Sequence, residues 1–314
     1  MNYPVLILAF NRADGFTNTL NSLLGQGFRE VYVSIDGCRD YFPFETRETI
    51  QRALEAKRNG LIKELNLLPV NHGILFGIQK GISWYFSKVE AGYVIEDDLI
   101  LQDGALTEAD SAMDYLMTSS NIASVNLRNI VPLAYILEPE ATFRFSRLTT
   151  SHGWGTTARY WFESLNQRKD GLDISLALRF FRFYGIIPGL SWLRRYQLEL
   201  QRIKLSPSQG VWDIHWTVFH ACSNYQSIFM NRSRVLYDGY GMEATNTKFR
   251  PKNIEFTYLN GEDLTLSSPK AKIVDHSADA YLNRHGFSIG LIKSLKKKLA
   301  IRSRLRVYRK KPKF

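Results

Sequence analysis

The sequence predicts an α/β fold, a Rossmann-like and mostly parallel sheet with helices on both faces. Three observations carry that expectation. Short apolar runs read as buried strands, apolar residues between them recur at helical spacing, and several runs end in acids or polar turns. Residues 4–10 (PVLILAF) form the first strand, followed by a helical face of Phe16, Leu20, Leu23 and Leu24. Residues 31–36 (VYVSID) form the second strand and end in Asp36-Gly37. A helix over about 44–58 leads to a third apolar stretch at 61–68. Ile78, Ile82, Tyr85, Phe86 and Val89 mark another helix, which feeds the strand Tyr93–Glu96. A helix over 103–117 and a strand over 122–126 complete the alternation.

The strand at residue 93 runs into Glu96-Asp97-Asp98 and then returns to apolar residues. Three adjacent carboxylates repel one another and are costly at the end of a buried strand unless cations or donors compensate. A hard divalent cation that also holds a phosphate is bound in this way, through one or two carboxylates and substrate oxygens. Ligands of such sheets bind outside the carboxyl ends of the strands. That rule sets Phe10-Asn11-Arg12, Asp36-Gly37 and the acid triplet along one edge. There is no GxGxxG after the first strand and no GxxxxGK[ST] motif, so neither glycine-rich phosphate cradle is present. Farther on, Trp212, Trp216 and Phe219 share one face of a helix, while Asp213 projects from another face near its start.

In order along the chain, PVLILAFNR, VSIDG, NHGILFGIQKG, GYVIEDD, SHGWGTTARYW and VWDIHW resemble the GT-A glycosyltransferases. The similarity is to bacterial sugar transferases related to the N-acetylglucosaminyltransferase that starts complex N-glycans, and it covers roughly residues 3–248. The resemblance implies a GT-A fold, a nucleotide-diphosphosugar donor, Mn²⁺ (or Mg²⁺), and inversion at the anomeric carbon. It sets Phe10, Asn11 and Arg12 along the nucleotide and Asp36 at the base or ribose, although Asp36 also suits a turn cap with Gly37. Asn71, His72, Gly73 and Lys80, with Gly77, would wall the base and diphosphate. Glu96 and Asp97 would meet ribose and sugar hydroxyls, and Asp98 the metal. His152, Gly153 and Trp154 would border the sugar and acceptor. Asp213 would take the acceptor proton, with Glu243 as the second candidate base. Asn246 stands where the family often carries a histidine, which leaves a second protein ligand to the metal open. The six histidines lack zinc-site spacing.

The remaining composition concerns partners and location. The net charge of +11 resides in residues 284–314, which hold twelve Lys/Arg and no acids; the rest carries 29 basic and 30 acidic groups. Within that tail Phe287, Ile289, Leu291, Ile292, Leu295 and Leu299 interleave with lysines, the pattern of a basic amphipathic helix suited to an anionic membrane surface. No nucleic-acid module is recognisable. Residues 1–283 are expected to form the transferase domain. It includes an aromatic and arginine-rich helical insertion at 172–205, divided at Pro188-Gly189, that suits acceptor, membrane or core contact. Cys38 and Cys222 read as free thiols, and no secretory leader or membrane-spanning run is evident. The expected setting is the cytoplasmic face of the plasma membrane in bacterial surface-polysaccharide synthesis. The donor is a nucleotide sugar, UDP-linked by resemblance, and the acceptor a glycan or lipid-linked molecule. A sugar-nucleotide nucleotidyltransferase and a non-catalytic carbohydrate- or membrane-binding module are the alternatives.

Overall fold

Four parallel strands form the spine of the computed structural model, which describes residues 2–38, 43–167, 171–206, 210–238 and 266–286. They are β1 (Val5–Ala9), β2 (Val31–Ile35), β3 (Glu64–Leu67) and β4 (Ala91–Glu96), in spatial order β3-β2-β1-β4. Every residue of β1 and β2 is buried, as the unbroken apolar runs require for strands covered on both faces. Helix α1 (Ala13–Leu24) joins β1 to β2, and α2 (Pro43–Arg58) joins β2 to β3, the two packing on each other. Helix α3 (Gly73–Phe86) makes the return crossover to β4. Right-handed crossovers running in opposite directions along a sheet place their helices on opposite faces.

Close approach dictates Gly92 in the middle of β4. A Cβ there would fall on the Tyr85 hydroxyl and lie 2.7 Å from the Pro4 carbonyl oxygen. That hydroxyl donates to the same carbonyl at 2.7 Å and ties α3 to the start of β1.

Beyond β4 the topology departs from simple alternation. The ribbon strand β5 (Leu99–Leu101) and helix α4 (Ala105–Thr118) come first, then β6 (Ile122–Asn126). Next are β7 (Phe143–Ser146), β8 (Trp154–Thr157) and helix α5 (Ala158–Asn166), whose N-cap Thr157 accepts from Tyr160 N–H. Strand β8 inserts antiparallel between β4 and β6, while β9 (Gln226–Met230) lies parallel to β6 and antiparallel to β7. The eight strands run β3-β2-β1-β4-β8-β6-β9-β7. The sheet is therefore mixed on one side and parallel on the other. Because β8 is reversed, its entry, Ser151 and His152, lies on the edge where β1, β2 and β4 end. A separate two-stranded ribbon pairs β5 with β10 (Val235–Tyr237).

The expected insertion consists of α6 (Ile174–Tyr184) and α7 (Ile186–Leu205). The division falls at Gly185, not at Pro188-Gly189. Gly185 takes φ +85°, a left-handed conformation that glycine adopts without a Cβ clash. Pro188 instead sits in the first turn of α7, where its missing N–H costs no helical bond. Phe180, Phe183, Tyr184, Trp192 and Tyr196 from this pair are buried in a second core shared with helix α8 (Trp212–Ser223). That core continues to helix α9 (His276–Tyr281) and a π-turn at Leu282–Gly286. The aromatics of the insertion are thus core residues. Its aliphatics Ile174, Leu178, Ile186 and Ile187 are exposed. No helix among the described residues is long and apolar enough to cross a membrane. The expected basic amphipathic segment from 287 onward, Glu243 and Asn246 lie outside the described residues.

Candidate active site

The carboxyl ends of β1, β2 and β4 carry Phe10-Asn11-Arg12, Asp36 and Glu96-Asp97-Asp98 to one cleft, as expected. The N-terminal turns of α3 and α8 contribute Gly73, Trp212 and Asp213, the entry to β8 contributes Ser151 and His152, and β10 contributes Tyr237. The cavity at this edge is about 280 Å³.

Asp36 binds β2 to α3. Its carboxylate accepts from the backbone N–H groups of Gly37 (2.9 Å), His72 (3.0 Å) and Gly73 (3.1 Å), and from Asn71 Nδ2 (3.0 Å). A carboxylate at a helix start satisfies donors that the helix itself leaves open and complements its dipole. Gly77 makes room for it, since a Cβ there would lie 2.6 Å from Asp36 Oδ2. Asp36 therefore shapes the cleft wall with most of its acceptor capacity already used. His72 contributes its main chain, and its ring Nδ1 lies 2.7 Å from the Val70 carbonyl.

The acid triplet is crowded and desolvated. Arg12 Nη1 donates to Asp98 Oδ2 at 2.8 Å, and Phe10 N–H donates to Asp97 Oδ2 at 3.1 Å. Burial, reinforced by Asp98, pushes the Asp97 carboxyl up to about 7. Burial and then the neighbours Asp98, Asp97 and Asp213 hold Glu96 well above the usual carboxylate range. Asp98 is also raised by burial, against the pull of Arg12. Burial works against the Arg12 charge too, but Asp97 and Asp98 outweigh it and raise its pKa.

Asp98 Oδ1 is buried and accepts no hydrogen bond. Such an orphaned oxygen fits a hard cation, which takes oxygen ligands. Among the described residues no three His, Cys, Asp or Glu side chains form a metal cage. A divalent ion here would rest on Asp98 and on oxygens of its ligand.

Asp213 lies in the first turn of α8, with Oδ1 buried and unpartnered. Burial raises its pKa, offset in part by Arg195 and by the N–H groups of Ile214 and Asp213. Trp154 stacks on Trp212 with ring centroids 5.3 Å apart, and both Trp154 and Trp161 pack on Trp216, so a tryptophan cluster fixes this turn. His152 meets the Tyr237 ring edge-on at 5.5 Å. Burial, then the Arg128 charge, lowers its pKa to about 4, so it is neutral at physiological pH.

A second cavity of about 480 Å³ adjoins the first. Ser151, His152, Val211 and Asp213 line both. The second is walled by α7, α8 and the π-turn.

Most sequence-predicted residues meet here, but four do not line the cleft, His72 among them, since its backbone N–H is used on Asp36 and its ring turns to Val70. Lys80 is exposed on α3, on the side away from Ile74 and Ile78, which line the site. Trp154 is fully buried in the core, because an inward position of β8 faces the α8 tryptophans. Gly153 is buried behind Ser151 and His152 in a left-handed turn, φ +73°. Arg128, Ser151, Arg195 and Tyr237 are site residues that sequence reasoning did not single out. The aromatic and arginine-rich composition of 172–205 was a signal for Arg195, whereas Tyr237 arrives through a ribbon pairing with no local signature.

No known family model matches this chain, and no curated protein matches its sequence. Among solved structures it is similar to S. aureus TarS 1–349 at 19% identity and TM-score 0.37, over 50% of this chain and 47% of that one. A second is GalNAc-T7 with UDP, GalNAc and Mn²⁺, at 10% identity and TM-score 0.43, over 75% of this chain and 44% of that one. A third, described as mannose-1-phosphate geranyltransferase from Thermus thermophilus, shows 10% identity and TM-score 0.37 over 76% of each chain. The chain thus spans about half the length of the first two. With TM-scores below 0.5, the reading of the site rests on its own residues.

The raised Asp97 pKa has a signed consequence. A carboxyl that binds its proton more tightly when folded contributes stability below the ordinary carboxylate range, and that contribution is lost as pH rises to about 7. Asp97→Asn removes this titration while keeping an oxygen for Phe10 N–H. The ligand-free variant should melt above the parent at pH 8, with the gap closing toward pH 4. Parallel melting curves in a pH series of scanning fluorimetry would count against a desolvated Asp97.

Proposed function

We propose that the chain is an inverting glycosyltransferase of the GT-A type, moving a sugar from a nucleotide diphosphosugar to an acceptor. The observation that carries this reading is the Asp213 carboxylate at the junction of two cavities, with its Oδ1 buried and without a hydrogen-bond partner. The first cavity, with the acid triplet and Arg12, takes the donor, and UDP is the nucleotide favoured by sequence resemblance. The second takes the acceptor. Mn²⁺ or Mg²⁺, held by Asp98 through its open oxygen and by donor phosphates, would supply positive charge to the departing diphosphate.

The residues of the chain divide the remaining work. Arg12 holds Asp98 in place and adds positive charge near the diphosphate. Glu96 and Asp97, with pKa values raised by burial, meet sugar and ribose hydroxyls as donors or acceptors. Asp213 takes the acceptor hydroxyl proton while that oxygen bonds to the anomeric carbon. On the opposite face the bond to the diphosphate oxygen breaks and its electron pair leaves with the nucleotide. A raised pKa makes Asp213 a better base for the acceptor proton. Neutral His152 beside it can orient a hydroxyl without adding charge. The acceptor belongs to a bacterial surface glycan, and the basic segment 284–314 brings the enzyme to the inner face of the plasma membrane.

Three measurements check this reading. Asp213→Asn should retain donor affinity and lose roughly 10²–10⁴ in transfer, and the acid limb of the parent's rate profile should lie above the ordinary carboxylate value of about 3.9. Release of pyrophosphate from a nucleoside triphosphate and a sugar 1-phosphate would identify a nucleotidyltransferase, and absence of any donor turnover a binding module. Asp98→Ala should abolish the Mn²⁺ dependence of nucleotide-sugar binding in a thermal-shift series, and unchanged metal dependence would move the cation elsewhere. Removal of 284–314 should release the protein from anionic vesicles in flotation without changing donor hydrolysis. Binding of the full chain should weaken with salt, because surface charge is screened within about 8 Å at physiological ionic strength. Equal flotation of both forms would exclude the tail as the anchor.

A further inference from the structure

The second cavity contains a charge that the transfer reaction does not use. Arg195, on α7, is half-buried on its wall and stacks over the Trp192 ring, with its guanidinium carbon 4.9 Å from the ring centroid. Among the described residues no carboxylate lies within ion-pair distance of it. Burial lowers its pKa, with Asp213 acting in the opposite sense from farther away. A guanidinium withdrawn from water without a paired anion is costly, and its planar fork matches an oxyanion.

The nearby acids do not serve it. Glu199 is buried with Oε1 accepting from Val211 N–H, while Oε2 pairs with Arg202 at 3.4 Å. Asp213 faces the donor side as well. Much of the remaining wall is apolar, with Ile130, Trp192, Ile214 and Leu282, while Arg128, which stacks over Tyr237, and Thr149, Thr150, Thr217 and His285 add polar groups. Leu198, which is 52% exposed, stands at the mouth of the cavity. Ile187, Leu190, Leu198 and Leu205 fall on one face of α7 and are all exposed, so the cavity opens onto an apolar stripe interrupted by Arg194 and Gln201.

We infer that this cavity receives an anionic amphiphile, with the guanidinium of Arg195 on a phosphate oxyanion, the apolar wall on its hydrocarbon part, and the nucleophilic hydroxyl toward Asp213. The inference rests on the glycosyltransferase reading for the identity of this molecule as the acceptor. The anion site itself does not depend on that reading. An acceptor of this class presents its phosphate to a charge already stacked and desolvated, so little side-chain freedom is lost on binding. It can also slide along the α7 stripe from a lipid surface.

The test is direct binding to the full chain, with UDP and Mn²⁺ present to fill the donor cleft. Octyl phosphate, octyl glucoside and inorganic phosphate are titrated below micellar concentrations and followed by calorimetry and by Trp192 and Trp216 fluorescence. Octyl phosphate should bind at least tenfold more tightly than either of the others, and Arg195→Gln should remove about tenfold of that, equivalent to about 1.4 kcal/mol. Arg195→Lys should retain part of it, since charge remains and the fork is lost. The thermal midpoint of Arg195→Gln should equal or exceed that of the parent, because the substitution deletes a desolvated charge. A lowered midpoint would instead make Arg195 a structural counter-charge to Asp213. Equal affinity for octyl phosphate and octyl glucoside, or full retention in both variants, overturns the anion site. Equal affinity for inorganic and octyl phosphate overturns the amphiphile. Donor turnover is assayed separately, so octyl phosphate binding without turnover would sink the transferase reading and leave the anion site standing.

Discussion

Four carboxylates, Glu96, Asp97, Asp98 and Asp213, share one cleft wall out of bulk water, and the rest of the site is arranged around that constraint. Two charges 4 Å apart interact by about 4 kcal/mol at an effective dielectric constant of 20, so the four cannot all be ionised cheaply. The protein answers in two ways. Arg12 forms a 2.8 Å ion pair with Asp98, and the pKa values of Glu96 and Asp97 rise so that protons neutralise part of the cluster. Neither response reaches Asp98 Oδ1 or Asp213 Oδ1. These two oxygens are where a cation and an acceptor hydroxyl would each lower the energy of the folded protein. In that sense the ligand-free site is destabilised in proportion to what it binds.

The first half of the fold was legible because its strands are buried on both faces and read as unbroken apolar runs. PVLILAF and VYVSID contain β1 and β2, GYVIE covers all of β4 but its first residue, and the helices between them keep their apolar spacing. The second half was less legible. Strands β7, β8 and β10 span only three or four residues each, and their pairing is decided by partners far away in sequence. WGTT carries nothing local that tells an antiparallel central strand from a loop. Its place is dictated by Trp154 packing on Trp212 and by Gly155, where a Cβ would lie 2.7 Å from Met113 Sδ. The helical insertion was legible as two helices but not in its break. The positive φ of Gly185 is a tertiary outcome, while Pro188-Gly189 is the stronger local punctuation.

The same distinction applies to the site. Residues at the ends of parallel strands could be placed because topology sends strand ends to one edge, and Phe10, Asn11, Arg12, Asp36 and the acid triplet all arrive there. Lys80 did not, since it lies on the opposite side of α3 from Ile74 and Ile78, which face the cleft. Trp154 did not, because alternation along a strand sends adjacent residues to opposite sides. Asp36 lies at that edge, and its bond from Gly37 N–H was legible as a turn cap. The two N–H groups of His72 and Gly73 reach it only once α3 starts against β2.

Asp213 connects the two halves of the molecule. Its helix is held from one side by Trp154 and Trp161, which belong to the main core, and from the other by Phe180, Tyr184 and Tyr196 of the second core. In the proposed reaction a base that serves a donor on the sheet edge and an acceptor beside the insertion must be fixed relative to both. Small displacements of a reacting group are costly in rate, so positioning of this kind has to come from close-packed side chains and not from a loop. The insertion is therefore more than a cover over the sheet. By burying most of its aromatics against α8 it supplies the second wall that makes Asp213 a junction residue, and it leaves Ile187, Leu190, Leu198 and Leu205 exposed beside that wall.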